Sequence, residues 1–139
     1  MPAKLTKEEA DEFLDSRPGW LVFTSVGKDG YPHTVPIGYQ RVGDEIYVGG
    51  RGGTQRLANV RRNAKVSALI ESGSSMEDIK GLLIQGEGTI VDDPSEVLEL
   101  LREGARRRGA PEPSEARPGV AYIKITLRKY ISWDYGRPE

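Results

Sequence analysis

Apolar residues recur at helical spacing in three short segments and at strand spacing almost everywhere else. Leu5, Ala10, Phe13 and Leu14 form one helical stripe behind a Thr6–Glu9 capping-box pattern, and Pro18-Gly19 stops that helix near Arg17. A second, short basic helix is expected over about Thr54 to Arg62. A third opens at Asp93-Pro94, with Asp at the N-cap and Pro at the first helical position. Val97, Leu98, Leu100, Leu101 and Ala105 make its apolar face, and Arg106, Arg107 and Arg108 its last turn. Runs of bulky and β-branched residues predict six strands: Trp20 to Val26, Tyr31 to Val42, Glu45 to Gly49, Lys65 to Glu71, Ile79 to Val91, and Val120 to Leu127 with a continuation toward Trp133. Lys28-Asp29-Gly30 and Gly43-Asp44 supply the tight turns of two hairpins. Pro32 and Pro36 cannot donate to a ladder, so their strand needs one side free of a neighbour. Gly81, Gly86 and Gly88 within one strand suggest bulges or strong coiling. Gly109 to Gly119, with Pro111, Pro113 and Pro118, reads as a connector. A meander of six antiparallel strands with few helices predicts a mainly β fold, a small β-barrel.

Composition narrows the chemistry. The 139 residues suggest a single domain over 1–139, long enough to bury a core. Hydrophobic residues at 37% and charged residues at 29% speak against wholesale disorder. A formal net charge of −1 gives no global pull toward nucleic acid or an anionic membrane, so neither partner is expected. There is no cysteine, which removes disulfides, thiol catalysis and cysteine–zinc sites. With one histidine, a metal site is not expected either. No apolar run approaches the ~20 residues of a membrane span, and the charged N-terminus lacks a signal peptide's apolar core, so a cytoplasmic location is expected.

The densest chemistry lies between Gly43 and Val66. A short strand ends in Gly49 and Gly50; Gly52 and Gly53 follow; then come Thr54, Gln55 and Arg56 at the start of a helix. Glycines let backbone N–H groups approach a ligand. A helix N-terminus attracts an anion, and an arginine fork suits phosphate. The segment reads as a phosphate cradle, against the alternative of a glycine-rich surface loop with Thr54 as an ordinary N-cap.

Three segments together resemble the pyridoxamine 5′-phosphate oxidase-like family of flavin-binding split barrels: TSVGKDGYPHTVPIGYQRVGDEIYVGG, TQRLANVRRNAKV and IKGLLIQGEGTIVDDP. The C-terminal YISWDYGR is similar to a closing element of some members. The resemblance implies a six-stranded antiparallel split β-barrel that binds FMN, or the deazaflavin coenzyme F-420, between the subunits of a homodimer. It places Thr54, Gln55 and Arg56 on the cofactor phosphate, Gly49 and Gly50 beside the ribityl chain, and Val35, Pro36 and Ile37 on the strand along the isoalloxazine ring. Gln55 stands where the family places a cation, and Ala64 where it places proline. No segment matches the one that holds pyridoxal phosphate in the oxidase proper. The implied activity is hydride transfer to or from a small organic substrate, with a non-catalytic flavin-binding or storage protein as the alternative.

Outside the cradle, no side chain stands out as a catalytic nucleophile, acid or base, and catalytic residues are left unassigned. His33 lacks any nucleophile-elbow partner. Arg61 and Arg62 read as a solvated face or a helix-end charge pair. Trp133 and Tyr135 are large for a tail and suggest core or dimer packing, with Trp133 lining the flavin pocket as the sharper alternative. Lys80, at a strand start, could place a cation near the flavin N1–C2 carbonyl; a surface lysine is the plainer reading.

Overall fold

A computed structural model describes residues 2–51 and 54–138. Its elements are β1 (Pro2–Ala3), α1 (Lys7–Ser16), β2 (Leu21–Val26), β3 (Pro32–Ile37), β4 (Tyr39–Val42), β5 (Glu45–Arg51), α2 (Gln55–Arg62), β6 (Lys65–Ser72), β7 (Lys80–Val91), α3 (Pro94–Arg108) and β8 (Val120–Pro138). The fold is mainly β, as expected, but with eight strands rather than six. The difference has two sources. Pro2–Ala3 pairs with the end of β8. The expected strand Tyr31 to Val42 is broken at Gly38 into β3 and β4.

That break shapes the molecule. All pairings are antiparallel, in the order β3-β2-β6-β7-β8-β5-β4 with β1 added to β8. The two end strands, β3 and β4, are consecutive in the chain with Gly38 alone between them. The sheet therefore curls until its ends are joined by covalent bonds, which gives a barrel split along the β3–β4 seam. β3 pairs only with β2, so its second edge is free among the described residues, and Pro32 and Pro36 cost no ladder bond there. The bulge signalled by the glycines falls at Gln85/Gly86, where the β7–β8 register shifts. A Cβ on Gly86 would stand 2.3 Å from the Thr126 carbonyl oxygen, so the bulge requires glycine.

Inward residues of the strands (Leu21, Phe23, Val48, Ile70, Leu82, Ile84, Ile123 and Ile125) meet in one core. α1 and α2 plug its ends. α1 contributes Ala10, Phe13 and Leu14 near the start of β7, where Lys80 lies over the Phe13 ring. α2 contributes Leu57 and Val60 near the far end of β7, where a Cβ on Gly88 would meet Val60 at 2.9 Å. The α1 cap is the expected capping box: Glu9 N–H donates to Thr6 Oγ1 at 3.1 Å, and Thr6 N–H donates to Glu9 Oε1 at 2.9 Å. α3 is capped by Asp93 and lies outside the barrel, where Gln40 of β4 donates to its Leu100 carbonyl at 3.2 Å.

On the outer face, register places Pro36, Val22, Leu69, Leu83 and Ile131 in one row across five strands. Pro36 is exposed and the other four are half-buried. This apolar row faces away from the core.

Candidate cofactor site at the start of helix α2

Gly49 and Gly50 end β5, and the chain re-enters the described residues at Thr54, the N-cap of α2. Gly52 and Gly53 of the expected cradle lie outside the described residues. Thr54 has the extended backbone of an N-cap, yet its hydroxyl makes no capping bond. Its Oγ1 is buried without a partner. A threonine at this position ordinarily satisfies a free N–H of the first turn; here both hydroxyl and N–H groups are left for another acceptor or donor.

Arg56 turns back over the end of β5. Its Nη2 donates to the Gly49 carbonyl at 2.9 Å, and a Cβ on Gly50 would stand 3.0 Å from that nitrogen. Glycine at position 50 is what allows the guanidinium to lie there. Arg56 has no carboxylate partner among the described residues, and its Nε is buried without an acceptor. Burial, uncompensated by any anion, pushes its pKa below the ordinary arginine value. A half-buried cation with spare donors beside a helix N-terminus is suited to an oxyanion.

Gln55 faces the other way, into a cavity of ≈ 460 Å³ between the β2–β3 turn and α2. Lys28, Asp29, His33 and Asn59 also line it. Gln55 Nε2 donates to Asn59 Oδ1 at 2.7 Å, and Asn59 Nδ2 donates to Ser25 Oγ at 3.1 Å, with Asn59 and Ser25 fully buried. Arg62 Nη2 also donates to Asn59 Oδ1, at 3.0 Å. His33 Nδ1 is buried with no partner. Sequence reasoning gave His33 no role and did not single out Ser25 or Asn59. The signal was present: each is a polar residue in the inward phase of an otherwise apolar strand or helix. His33 shares a face with Val35 and Ile37, and Ser25 with Leu21 and Phe23.

The structure thus gathers Gly49, Gly50, Thr54, Gln55 and Arg56 at one end of the barrel. Of the β3 residues, Val35 and Ile37 turn inward opposite Phe23 and Leu21, while Pro36 faces out. Lys80 and Trp133 lie at the other end. From Gly81, which pairs with Trp133, to Gly88 beside α2 is a strand of seven steps, roughly 23 Å. Trp133 lies against Gly81 on the outer face, and Lys80 Nζ is 4.6 Å from the centre of the Phe13 ring. Neither reaches the cradle of its own barrel. A second cavity, of ≈ 690 Å³, opens on the outer face along Thr24, Ser67, Ala64, Gln85 and Arg128, below the apolar row.

No group of three His, Asp or Glu side chains placed to hold a metal occurs among the described residues. Among them, too, no helix is long and apolar enough to cross a membrane.

With this geometry in place, comparison identifies the class. The family model of pyridoxamine 5′-phosphate oxidase matches residues 6–134, and the chain belongs to that family. No curated protein matches it by sequence. Among solved structures it is similar to the conserved hypothetical protein Rv2991 of Mycobacterium tuberculosis, with a TM-score of 0.83 and 25% identity over 97% of this chain and 90% of that one. It is also similar to an F420 reductase (TM-score 0.68, 18% identity, 87% of this chain and 94% of that one). A third is the FAD and heme binding protein of Mycobacterium smegmatis (TM-score 0.72, 20% identity, 96% and 74%). The last two likenesses are of fold.

Proposed function

We propose that the chain, as a single domain over 1–139, binds a flavin or deazaflavin through its phosphate at the start of α2. In this reading it serves as an oxidoreductase for a small organic substrate. The observation that carries this reading is Arg56, a half-buried guanidinium without a carboxylate, set beside the unpartnered Thr54 hydroxyl. The cradle's donors suit a ribityl phosphate, which FMN and coenzyme F-420 both present. FMN is the first choice. A structural neighbour that is an F420 reductase supports the deazaflavin as the alternative.

When bound, such a cofactor supplies hydride transfer. The chain's own share is grip and exclusion of water. Arg56 and the α2 N–H groups would hold the phosphate, with Thr54 donating a hydroxyl bond. Gly49 and Gly50 leave room for the ribityl chain. On the free edge of β3, Thr34 offers its N–H and C=O and Pro36 its C=O to the ring's polar edge, flanked by Val35 and Ile37, whose own backbone groups face β2. The apolar outer row from Pro36 to Ile131 would pack on a second copy, completing a pocket that one barrel leaves open. Trp133, on the same outer face, would then reach the partner's cofactor; Lys80, held at the α1 end, is a weaker contributor. A chain without cysteine suits the cytoplasm.

The second reading is a non-catalytic flavin carrier. It is supported by Gln55, a neutral side chain where the family resemblance places a cation, which leaves Arg56 the main charge of the grip.

Titration of FMN and coenzyme F-420, followed by the absorbance of the bound cofactor, tests the assignment. Arg56→Ala is expected to cost on the order of 2 kcal/mol, or about thirtyfold in affinity for the tighter ligand. Unchanged affinity removes Arg56 from the site. The two readings separate by stopped-flow reoxidation of the reduced complex with quinone-like and conjugated-enone acceptors. A carrier slows reoxidation for every acceptor, oxygen included.

A further inference from the structure

A third cavity, with a built lining, lies away from the cradle, under the C-terminal half of α3 and over the outer face of β4, β5 and β8. Its volume is ≈ 430 Å³, within the range of small-molecule sites. Three guanidiniums line it (Arg17, Arg107 and Arg108), and no carboxylate does. Arg107 is tied to Glu103 at 3.0 Å. The Arg108 guanidinium makes no hydrogen bond or ion pair among the described residues, and the Arg17 guanidinium donates only to the Tyr39 carbonyl and lies over the Tyr39 ring. Arg17 is the C-cap of α1, in the left-handed conformation at φ 48° with its N–H on the Leu14 carbonyl.

Three tyrosines also line it, and of these only Tyr39 has its hydroxyl satisfied among the described residues, by the Leu14 carbonyl. The Tyr47 and Tyr122 phenols make no hydrogen bond among the described residues, and burial pushes both up in pKa. Gln40 is buried and uses only its Nε2. Gly104 forms the floor, where a Cβ would stand 3.0 Å from Gln40 Oε1 and 3.3 Å from Arg108 Nη1. Past Arg17, Gly38 and Tyr39 the cavity continues into a recess of ≈ 240 Å³ walled by Trp20, whose side chain is largely exposed.

We propose that this cavity is a second ligand site that takes a small aromatic carboxylate. The carboxylate pairs with the Arg17 and Arg108 forks, and the ring packs between the tyrosines and toward Trp20. Neutral aromatics lack the ion pair, and non-aromatic acids lack the stacking surface. The assignment does not rest on flavin binding, because it shares only Gly49 with the cradle.

The test is a titration of the full chain with 2-naphthoate and with its neutral isostere 2-naphthamide, followed by backbone amide shifts. Naphthoate is expected to bind at least tenfold more tightly and to move the Gly38 and Gly104 amides rather than those of Gln55 and Asn59. Arg108→Gln and Arg17→Asn, the latter compatible with the left-handed backbone, should each weaken it about tenfold, and Arg108→Lys should recover part of the loss. FMN affinity should stay unchanged in all three. Equal binding of acid and amide, shifts centred on Gln55, or unaltered naphthoate affinity in Arg108→Gln each overturns the proposal. If a variant fails to fold, the acid–amide contrast on the native chain decides.

Discussion

Glu9 shows how one side chain ties distant parts of the chain together. It closes the α1 capping box through Thr6 and also accepts from Arg137, 128 residues away, with Nη2 to Oε1 at 3.2 Å. The Arg137 hydrogen bond, followed by the Thr6 backbone bond, lowers its pKa from 4.5 to about 2. A carboxyl whose pKa falls on folding stabilises the native state above its unfolded value, and that contribution disappears as pH falls through the folded value. The stability difference between the native chain and Glu9→Gln is therefore expected to be constant above about pH 5. It should vanish between pH 4.5 and about 2. Urea titrations at a series of pH values measure this, and a difference that persists at pH 2 counts against the Arg137 bond as the cause. Because the Glu9–Arg137 pair is partly open to solvent, salt should diminish the effect. Arg56 is the opposite case, a cation partly withdrawn from water with no internal anion. That unmatched, half-buried charge is the reason the cofactor phosphate is proposed there.

Among the elements, β7 and β8 form the longest pairing, and glycines permit its curvature. Gly81 faces Trp133 across the ladder, and a Cβ there would stand 2.3 Å from the indole Cζ2. The indole covers the backbone that glycine leaves bare, a cross-strand pairing known to pin register. Gly81→Ala must displace the ring. The expected loss is about 1–3 kcal/mol in chemical denaturation, accompanied by a change in native tryptophan emission. An unaltered midpoint and spectrum would mean that Trp133 does not rest on this glycine. The hairpin turns, the helix caps and the Gly86 bulge were all readable from local residue chemistry. So was the edge character of the proline-bearing strand. The end of that strand was not. Gly38 looks like any glycine in a strand run, and only the barrel's need to pass from one sheet edge to the other turns it into a corner. β8, at 19 residues, also exceeds its expected span. Its polar, aromatic tail gains strand structure by pairing with β7 and β1, partners that a local window does not contain.

For the molecule as a whole, the outer row Pro36, Val22, Leu69, Leu83 and Ile131 is the feature a lone barrel leaves unexplained. It predicts that the chain sediments at twice its 15.3 kDa mass at micromolar concentration. Leu69→Lys and Leu83→Lys together should shift it toward monomer and weaken cofactor binding at the same time. A monomer that keeps full FMN affinity would rule out a pocket shared between subunits. The sequence alone determined the fold class, the helix boundaries and the family, and it located Thr54, Gln55 and Arg56 beside the glycines that end β5. These follow from residue chemistry that acts over a few positions. Tertiary structure decided the rest. It split the second strand, turned Arg56 onto the Gly49 carbonyl, buried Ser25 and Asn59 and the Nδ1 of half-buried His33 near Gln55, and set Lys80 and Trp133 a strand's length from the cradle. Those outcomes depend on register and barrel closure, which join residues far apart in the chain, and no local periodicity encodes which distant strand a residue will face.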